Sequence, residues 1–162
     1  MISIVYILMT KILMVCLGNI CRSPLAEGIL KSKLSPDMFV VDSAGTSNYH
    51  IGQFPDSRSI QIAKRHTIDI SNQRGRQFKI SDFDTYDVIY AMDTSNYQYL
   101  KGKARTNVDQ NKIKLILTEM DNMPTRDVPD PYYSGVDGFL EVFEMLDVVC
   151  DNIAAKLLSN NT

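Results

Sequence analysis

The chain has 162 residues, about one domain's length, with 44% hydrophobic and 22% charged residues, a balance that suits a packed core and excludes a disordered chain. Seventeen Lys and Arg against nineteen Asp and Glu leave a net charge of −2, so there is no basic field for a polyanion and nucleic acid is not an expected partner. Cys16, Cys21 and Cys150 are odd in number and show no repeated spacing, which excludes a secreted disulfide framework and points to reduced thiols in a cytoplasmic protein.

The segment Met1–Met9 is apolar but far shorter than the ~20 residues of a spanning helix. It also lacks the basic start and small-residue cleavage site of a signal peptide, so no membrane association is expected. Residues 1–8 read as an accessory extension: an edge strand or packing arm, or the product of start-site choice with Met9 as the natural first residue. Residues 9–159 read as a single domain.

Ile12–Cys16 is the short apolar run of a buried parallel strand. A Gly18-Asn19 turn follows, then Ser23 in a cap position and Pro24 in the first turn of a helix carrying Leu25, Ala26, Ile29 and Leu30. Phe39–Val41 is a second strand running into Asp42-Ser-Ala-Gly45. Ser57–His66 reads as a helix, and Ser81–Asp84 as a helix start with a short turn. Asp87–Ala91 is a third strand, after which Asp93 caps a helix to about Lys101. Lys112–Leu117 is the fourth strand. Thr118–Gly135, rich in Pro, Asp and Gly, is long for a loop without function. Val136–Leu158 carries Phe139, Phe143, Leu146, Val149 and Ile153 at three- and four-residue steps, a long amphipathic helix. Strands alternating with helices predict an α/β fold with a parallel sheet covered on both faces. Ligands of such sheets bind at the strand C-termini, here the loops after residues 16, 43, 91 and 117.

The first of those loops carries the densest chemistry. Cys16 and Arg22 stand in a Cys-x5-Arg spacing, long enough for a loop to wrap one tetrahedral anion with its backbone N–H groups. The helix that follows adds its positive N-terminus, and Arg22 closes the ring with a planar fork for two oxygens. That field favours Cys16 as a thiolate, and the Ser23 hydroxyl is placed to donate to its sulfur. Alone, a cysteine at a strand end is more often a small buried hydrophobe; the loop around this one makes it a nucleophile for phosphorus.

The segment Cys16-Leu-Gly-Asn-Ile-Cys-Arg-Ser-Pro24 resembles the signature loop of the low-molecular-weight protein tyrosine phosphatases. The likeness extends from Met9 over almost the whole chain, through Asp42-Ser-Ala-Gly-Thr46, Pro55-Asp-Ser-Arg58, Arg74-Gly-Arg-Gln77, Met92-Asp-Thr-Ser-Asn96 and Asp127-Val-Pro-Asp-Pro-Tyr-Tyr133. It implies a three-layer α/β/α fold of the phosphotyrosine phosphatase I-like type, with a four-stranded parallel sheet, and hydrolysis of phosphotyrosine or aryl phosphates through a phosphocysteine. Cys16, Arg22 and Asp130 are the implied catalytic residues; Leu17, Gly18, Asn19, Ile20, Cys21 and Ser23 complete the phosphate-binding loop. The aryl oxygen departs poorly unless protonated, so an acid is needed on a different loop, and Asp130 takes that role by resemblance. Asp127, three residues earlier, reads as solvated or structural.

Leu17, Ile20, Tyr49, Tyr132 and Tyr133 are candidate walls for a phenyl phosphate, and the resemblance allows Tyr132 and Tyr133 to be phosphorylated themselves. It also implies a network of Asn19, Ser23 and Ser43 joined by a histidine, but Gln73 stands where that histidine is expected, and an amide cannot titrate. His50 reads as a loop residue near the mouth and His66 as a helix-end residue, with no metal site and no cofactor expected. Cys21 is expected to form a reversible disulfide with Cys16 and spare it over-oxidation; Cys150 reads as core.

The expected partners are a phosphotyrosine protein or aryl phosphate and inhibitory phosphate or other oxyanions, bound by a monomer or weak dimer. Two other activities on the same fold compete. A protein-arginine phosphatase favours Thr where Ile20 stands. An arsenate reductase relies on a further cysteine pair after the third strand, where Ala91–Lys101 has none.

Overall fold

In the computed structural model, which describes residues 8–160, the apolar run after Thr10 forms β1 (Thr10–Cys16) at the centre of a four-stranded sheet. β2 (Phe39–Gly45) lies on one side of β1; β3 (Val88–Ala91) and then β4 (Ile113–Leu115) lie on the other, and every pairing is parallel. Side chains alternate along β1 and so enter two cores. Ile12, Met14 and Cys16 face one that includes Leu25, Ile29, Phe143 and Leu146, from α1 (Arg22–Lys33) and α6 (Val136–Asn160), with α2 (Ser57–Arg65) packed beside them. Leu13 and Val15 face the other, with Phe83 of α3 (Asp82–Thr85) and Leu100 of α4 (Thr94–Lys103). The fold is therefore a three-layer α/β/α sandwich. Its chain order reverses at β1, whose C-terminus opens the crevice where ligands of such sheets bind.

Several boundaries differ from the sequence reading. β2 continues through Asp42 and Ser43 to Gly45, because those residues pair in register with Leu13, Met14 and Cys16. The fourth strand is shorter than Lys112–Leu117: its partner β3 ends at Ala91 opposite Leu115, and Ile116–Glu119 turn into a 3-10 helix that still buries Ile116 and Leu117. Lys112 belongs to α5 (Asn107–Lys112), a short helix the sequence reading lacks, capped by Thr106 accepting from Asp109 N. Ser23 is not the cap of α1. The helix begins at Arg22 with Cys21 at its cap position and no side-chain cap, and Ser23 is buried in the first turn.

The accessory segment placed at residues 1–8 lies, but for the exposed Leu8, outside the described residues. Among the described residues no helix is long and apolar enough to cross a membrane. His66 ends α2, its ring stacked on Phe143 at 4.0 Å, and Cys150 is fully buried, where burial pushes its thiol up to about 12.

Candidate active site

The loop from Cys16 to Arg22 bends back over the end of β2. Ser47 N donates to Leu17 O at 3.0 Å and Asp56 N to Ile20 O at 2.7 Å. Gly45 makes this approach possible, since a Cβ there would stand 2.8 Å from the Leu17 carbonyl oxygen. Asn19 is in the left-handed region, at φ 57°, and its buried side chain offsets the conformation with three bonds. Its Nδ2 donates to Ser23 Oγ at 2.8 Å and Ser43 Oγ at 2.9 Å, while its Oδ1 accepts Arg76 N at 3.0 Å.

These bonds converge on the sulfur. Ser23 Oγ, already accepting from Asn19, lies 3.0 Å from Cys16 Sγ, and Asn19 N donates to the same sulfur at 3.3 Å. The uncapped N-terminus of α1, with no acidic residue in its first turn, begins just beyond. Arg22 is 3% exposed. Its Nη1 donates to Asp93 Oδ2 at 2.6 Å and Val128 O at 3.0 Å, and its Nη2 lies 3.7 Å from Asp130 Oδ2. Burial works against the Arg22 charge, but Cys16, Asp93 and Asp130 outweigh it and hold the guanidinium more firmly protonated than usual. Cys21 is in the opposite situation: burial first, then Asp56, pushes its thiol far up, so it is protonated at neutral pH.

A cavity of about 350 Å³ is lined by Cys16, Leu17, Gly18, Ile20, Cys21 and Arg22 on one side and by Tyr49, His50, Asp130, Tyr132 and Tyr133 on the other. The structure thus brings together all three expected catalytic residues and all three expected tyrosine walls. Asp130 is 41% exposed, open to a leaving group and to water, with Tyr132 N bonded to its Oδ1 at 3.1 Å. A thiol, a fixed guanidinium and an accessible carboxyl around a polar-floored, aromatic-walled slot can hold a tetrahedral anion with an aryl group and exchange a proton with it. A wider depression of about 780 Å³, with Glu27, Lys31, Asp42, Arg74, Arg76 and Tyr86 among its walls, is lined by no cysteine.

Behind the cavity Asn19 bonds both Ser23 and Ser43, but Gln73 does not close their network. Its Nε2 donates to Pro24 O at 3.1 Å, and its buried Oε1 has no partner. The closing residue is Glu27, which the sequence reading missed. Its Oε1 accepts from Ser43 Oγ at 2.9 Å and its Oε2 from Lys31 at 2.8 Å, and burial raises its pKa. The spacing of Glu27 and Lys31 by four residues signalled a helix pair, but not its burial. Asp93 was read only as a helix cap. It is one, its Oδ1 accepting Asn96 N at 2.8 Å, and its other oxygen holds Arg22. Asp127 is structural: its Oδ1 takes both Thr94 N, at 2.8 Å, and Thr94 Oγ1, at 2.7 Å.

A family model described as low molecular weight phosphotyrosine protein phosphatase matches residues 11–162. The low molecular weight phosphotyrosine protein phosphatase of Gallus gallus is 41% identical over 152 residues, 90% of this chain and 94% of that protein. The crystal structure of a protein tyrosine phosphatase from Entamoeba histolytica, with Hepes in its active site, superposes with a TM-score of 0.88 at 37% identity, covering 94% of this chain and 99% of the other. A Drosophila arginine phosphatase superposes with a TM-score of 0.83 at 33% identity, covering 91% and 98%.

Proposed function

Because the chain belongs to the low molecular weight phosphotyrosine protein phosphatases, a family of hydrolases, we propose that Cys16, Arg22 and Asp130 carry its reaction. One observation supports this above all: Cys16 and Arg22, at the two ends of one loop, and Asp130, from another, meet at a single 350 Å³ cavity. In the first step Cys16 Sγ attacks phosphorus, the S–P bond forms as the P–O bond to the aryl group breaks, and Asp130 gives its proton to the departing oxygen. Arg22 bonds two of the phosphoryl oxygens and the backbone of Leu17, Gly18, Asn19, Ile20, Cys21 and Ser23 surrounds the rest. In the second step Asp130 takes a proton from water as the water attacks phosphorus, and phosphate leaves with the thiolate restored. Ser23, held by Asn19, donates to the sulfur in both states where it is anionic.

Leu17, Ile20, Tyr49, Tyr132 and Tyr133 fit a phenyl ring, which supports phosphotyrosine as the substrate and phosphate and other oxyanions as inhibitors. We assign Cys21 as the thiol that captures an oxidised Cys16, residues 1–8 as accessory to a domain over 9–159, and the cytoplasm as the location of a monomer or weak dimer. The likeness to an arginine phosphatase makes phosphoarginine the second substrate to try.

The test is turnover of p-nitrophenyl phosphate. Cys16→Ser should abolish it, and Asp130→Ala should lower kcat by roughly 10²–10⁴-fold, the usual contribution of a general acid, while leaving vanadate binding intact. An Asp130→Ala protein with undiminished kcat would overturn the acid. Faster turnover of phosphoarginine than phosphotyrosine peptides would overturn the substrate.

A further inference from the structure

The motif Pro55-Asp-Ser-Arg58 takes no part in the scheme above, yet it connects the two halves of the cavity. Asp56 is rooted in the Cys16 loop through its N–H bond to Ile20 O, and it caps α2 by accepting Arg58 N at 2.9 Å. It then holds the Arg58 guanidinium with both oxygens, Oδ1 to Nε at 3.0 Å and Oδ2 to Nη2 at 2.9 Å. Arg58 Cζ lies over the buried Phe139 ring, 4.4 Å from its centroid, and Phe139 in turn packs against Ile20 and Cys21. An arginine so gripped on one edge and one face has lost most of its freedom before it meets anything else.

The free edge of the guanidinium points at the segment carrying Asp130. Its Nη2 donates to Tyr132 O at 3.1 Å and its Nη1 to Ser134 O at 3.2 Å. Between Asp130 and Ser134 the backbone is otherwise fastened by the turn bond from Ser134 N to Pro131 O and by Tyr132 N to the Asp130 carboxylate. The upstream stem is held separately, by Asp127 on Thr94, Val128 N on Met92 O, and Arg22 on Val128 O.

We propose that Arg58 is a positioning residue for Asp130: braced by Asp56 and Phe139 against the Cys16 loop, it fixes the carbonyls of Tyr132 and Ser134 and so sets where the acid stands relative to Cys16. This rests on the reading of Asp130 as the proton donor. Proton transfer in the transition state tolerates little displacement, and misplacement by about 1 Å costs about 10²-fold in rate.

A donor's placement matters in proportion to how badly the leaving group needs the proton. The experiment measures kcat/KM, which reports the first step, for aryl phosphates from 2,4-dinitrophenyl to phenyl phosphate, with wild type, Arg58→Met, Arg58→Lys and Asp130→Ala. Arg58→Met should lower kcat/KM for phenyl phosphate by about 10–100-fold and for 2,4-dinitrophenyl phosphate by less than about 3-fold. Vanadate affinity should be unchanged, showing the Cys16 loop intact. Arg58→Lys, a point charge that cannot hold Asp56 and two carbonyls together, should fall on the same side with a smaller slope, and it carries the test if the Met variant does not fold. Arg58→Met added to Asp130→Ala should cause little further loss. An equal loss on all leaving groups, or none, overturns the proposal. A flat leaving-group series for Asp130→Ala itself overturns instead the acid assignment on which it stands.

Discussion

Arg22 Nη1 lies 2.6 Å from Asp93 Oδ2, a contact that fastens the loop after β1 to the N-terminus of α4. Because Asp93 uses its other oxygen as the helix cap, one carboxylate orders both a helix start and the guanidinium that faces the cavity.

Asp93→Ala removes both roles. We expect a loss of about 1 kcal/mol from the missing cap, with a further cost from a buried guanidinium short of one partner. The inhibition constant for inorganic phosphate should rise by about 10-fold as Arg22 loses its orientation. Asp93→Asn should restore the cap and most of the stability but only part of the affinity. Phosphate inhibition unchanged in the Ala variant would show that Asp93 serves the helix alone.

Asn19 satisfies its own strained backbone and two hydroxyls at once. Asn19→Ala takes one donor from each of Ser23 and Ser43, leaves Arg76 N without its side-chain acceptor, and keeps φ positive for a residue with no compensating side chain. A loss of roughly 2–4 kcal/mol is expected in denaturant unfolding. Asn19→Gly should recover about 1 kcal/mol of this by easing the backbone, yet its kcat should stay as low as that of the Ala variant. Full activity in Asn19→Gly would mean that the hydrogen bonds to Ser23 and Ser43 are dispensable.

Burial raises the pKa of Glu27, so this carboxyl holds its proton to higher pH in the folded chain than in the unfolded one. The unfolded state therefore loses that proton first. Stability contributed by the protonated acid is complete below the ordinary carboxylate range and declines as pH rises through the Glu27 titration. Glu27→Gln keeps an acceptor for Ser43 and does not titrate. Its melting temperature relative to wild type should climb as pH rises from the ordinary carboxylate range up through the Glu27 titration. A difference that stays constant or moves toward wild type would contradict the burial argument.

Cys21 lines the same cavity as Cys16; in the proposed protective role its thiol gives up a proton and its sulfur attacks a sulfenic acid on Cys16, forming a disulfide as the sulfenic oxygen leaves as water. Peroxide followed by dithiothreitol should restore most activity to the native chain and far less to Cys21→Ser. Equal recovery would remove Cys21 from any protective part. Cys150, buried between α1 and α6, should remain unlabelled by iodoacetamide unless the protein is denatured.

What the sequence disclosed was local. Cys16 and Arg22 fall within one turn of chain, and the unbroken apolar run of Ile12 through Cys16 names a buried strand without help from the rest of the fold. Asp93 and Glu27 escaped because each already had a sufficient local reason, a cap for one and a helix pair with Lys31 for the other. Their second partners are 71 and 16 residues away. The end of β4 was illegible for another reason. Ile113, Leu115, Ile116 and Leu117 are all apolar and buried around the exposed Lys114, and Ile116 and Leu117 leave the ladder without leaving the core, so burial and pairing carry the same signature there. Gln73 was placed by resemblance, and its bond to Pro24 shows the amide settling on the nearest main chain instead of on the hydroxyls beyond.

Beside the Arg22–Asp130 ion pair and the Arg58 guanidinium near the Tyr132 ring, the two arginines hydrogen-bond the Asp130 loop through main-chain oxygens: Arg22 on Val128, Arg58 on Tyr132 and Ser134. Such a fastening reads chain path, not side-chain identity. The residues facing outward on that loop, Tyr133 above all at 95% exposure, can therefore be exchanged for others without loosening the clasp. The loop is in effect a fixed mount with an interchangeable face, and a library varied at its outward positions should alter which phosphoproteins are accepted long before it alters the chemistry.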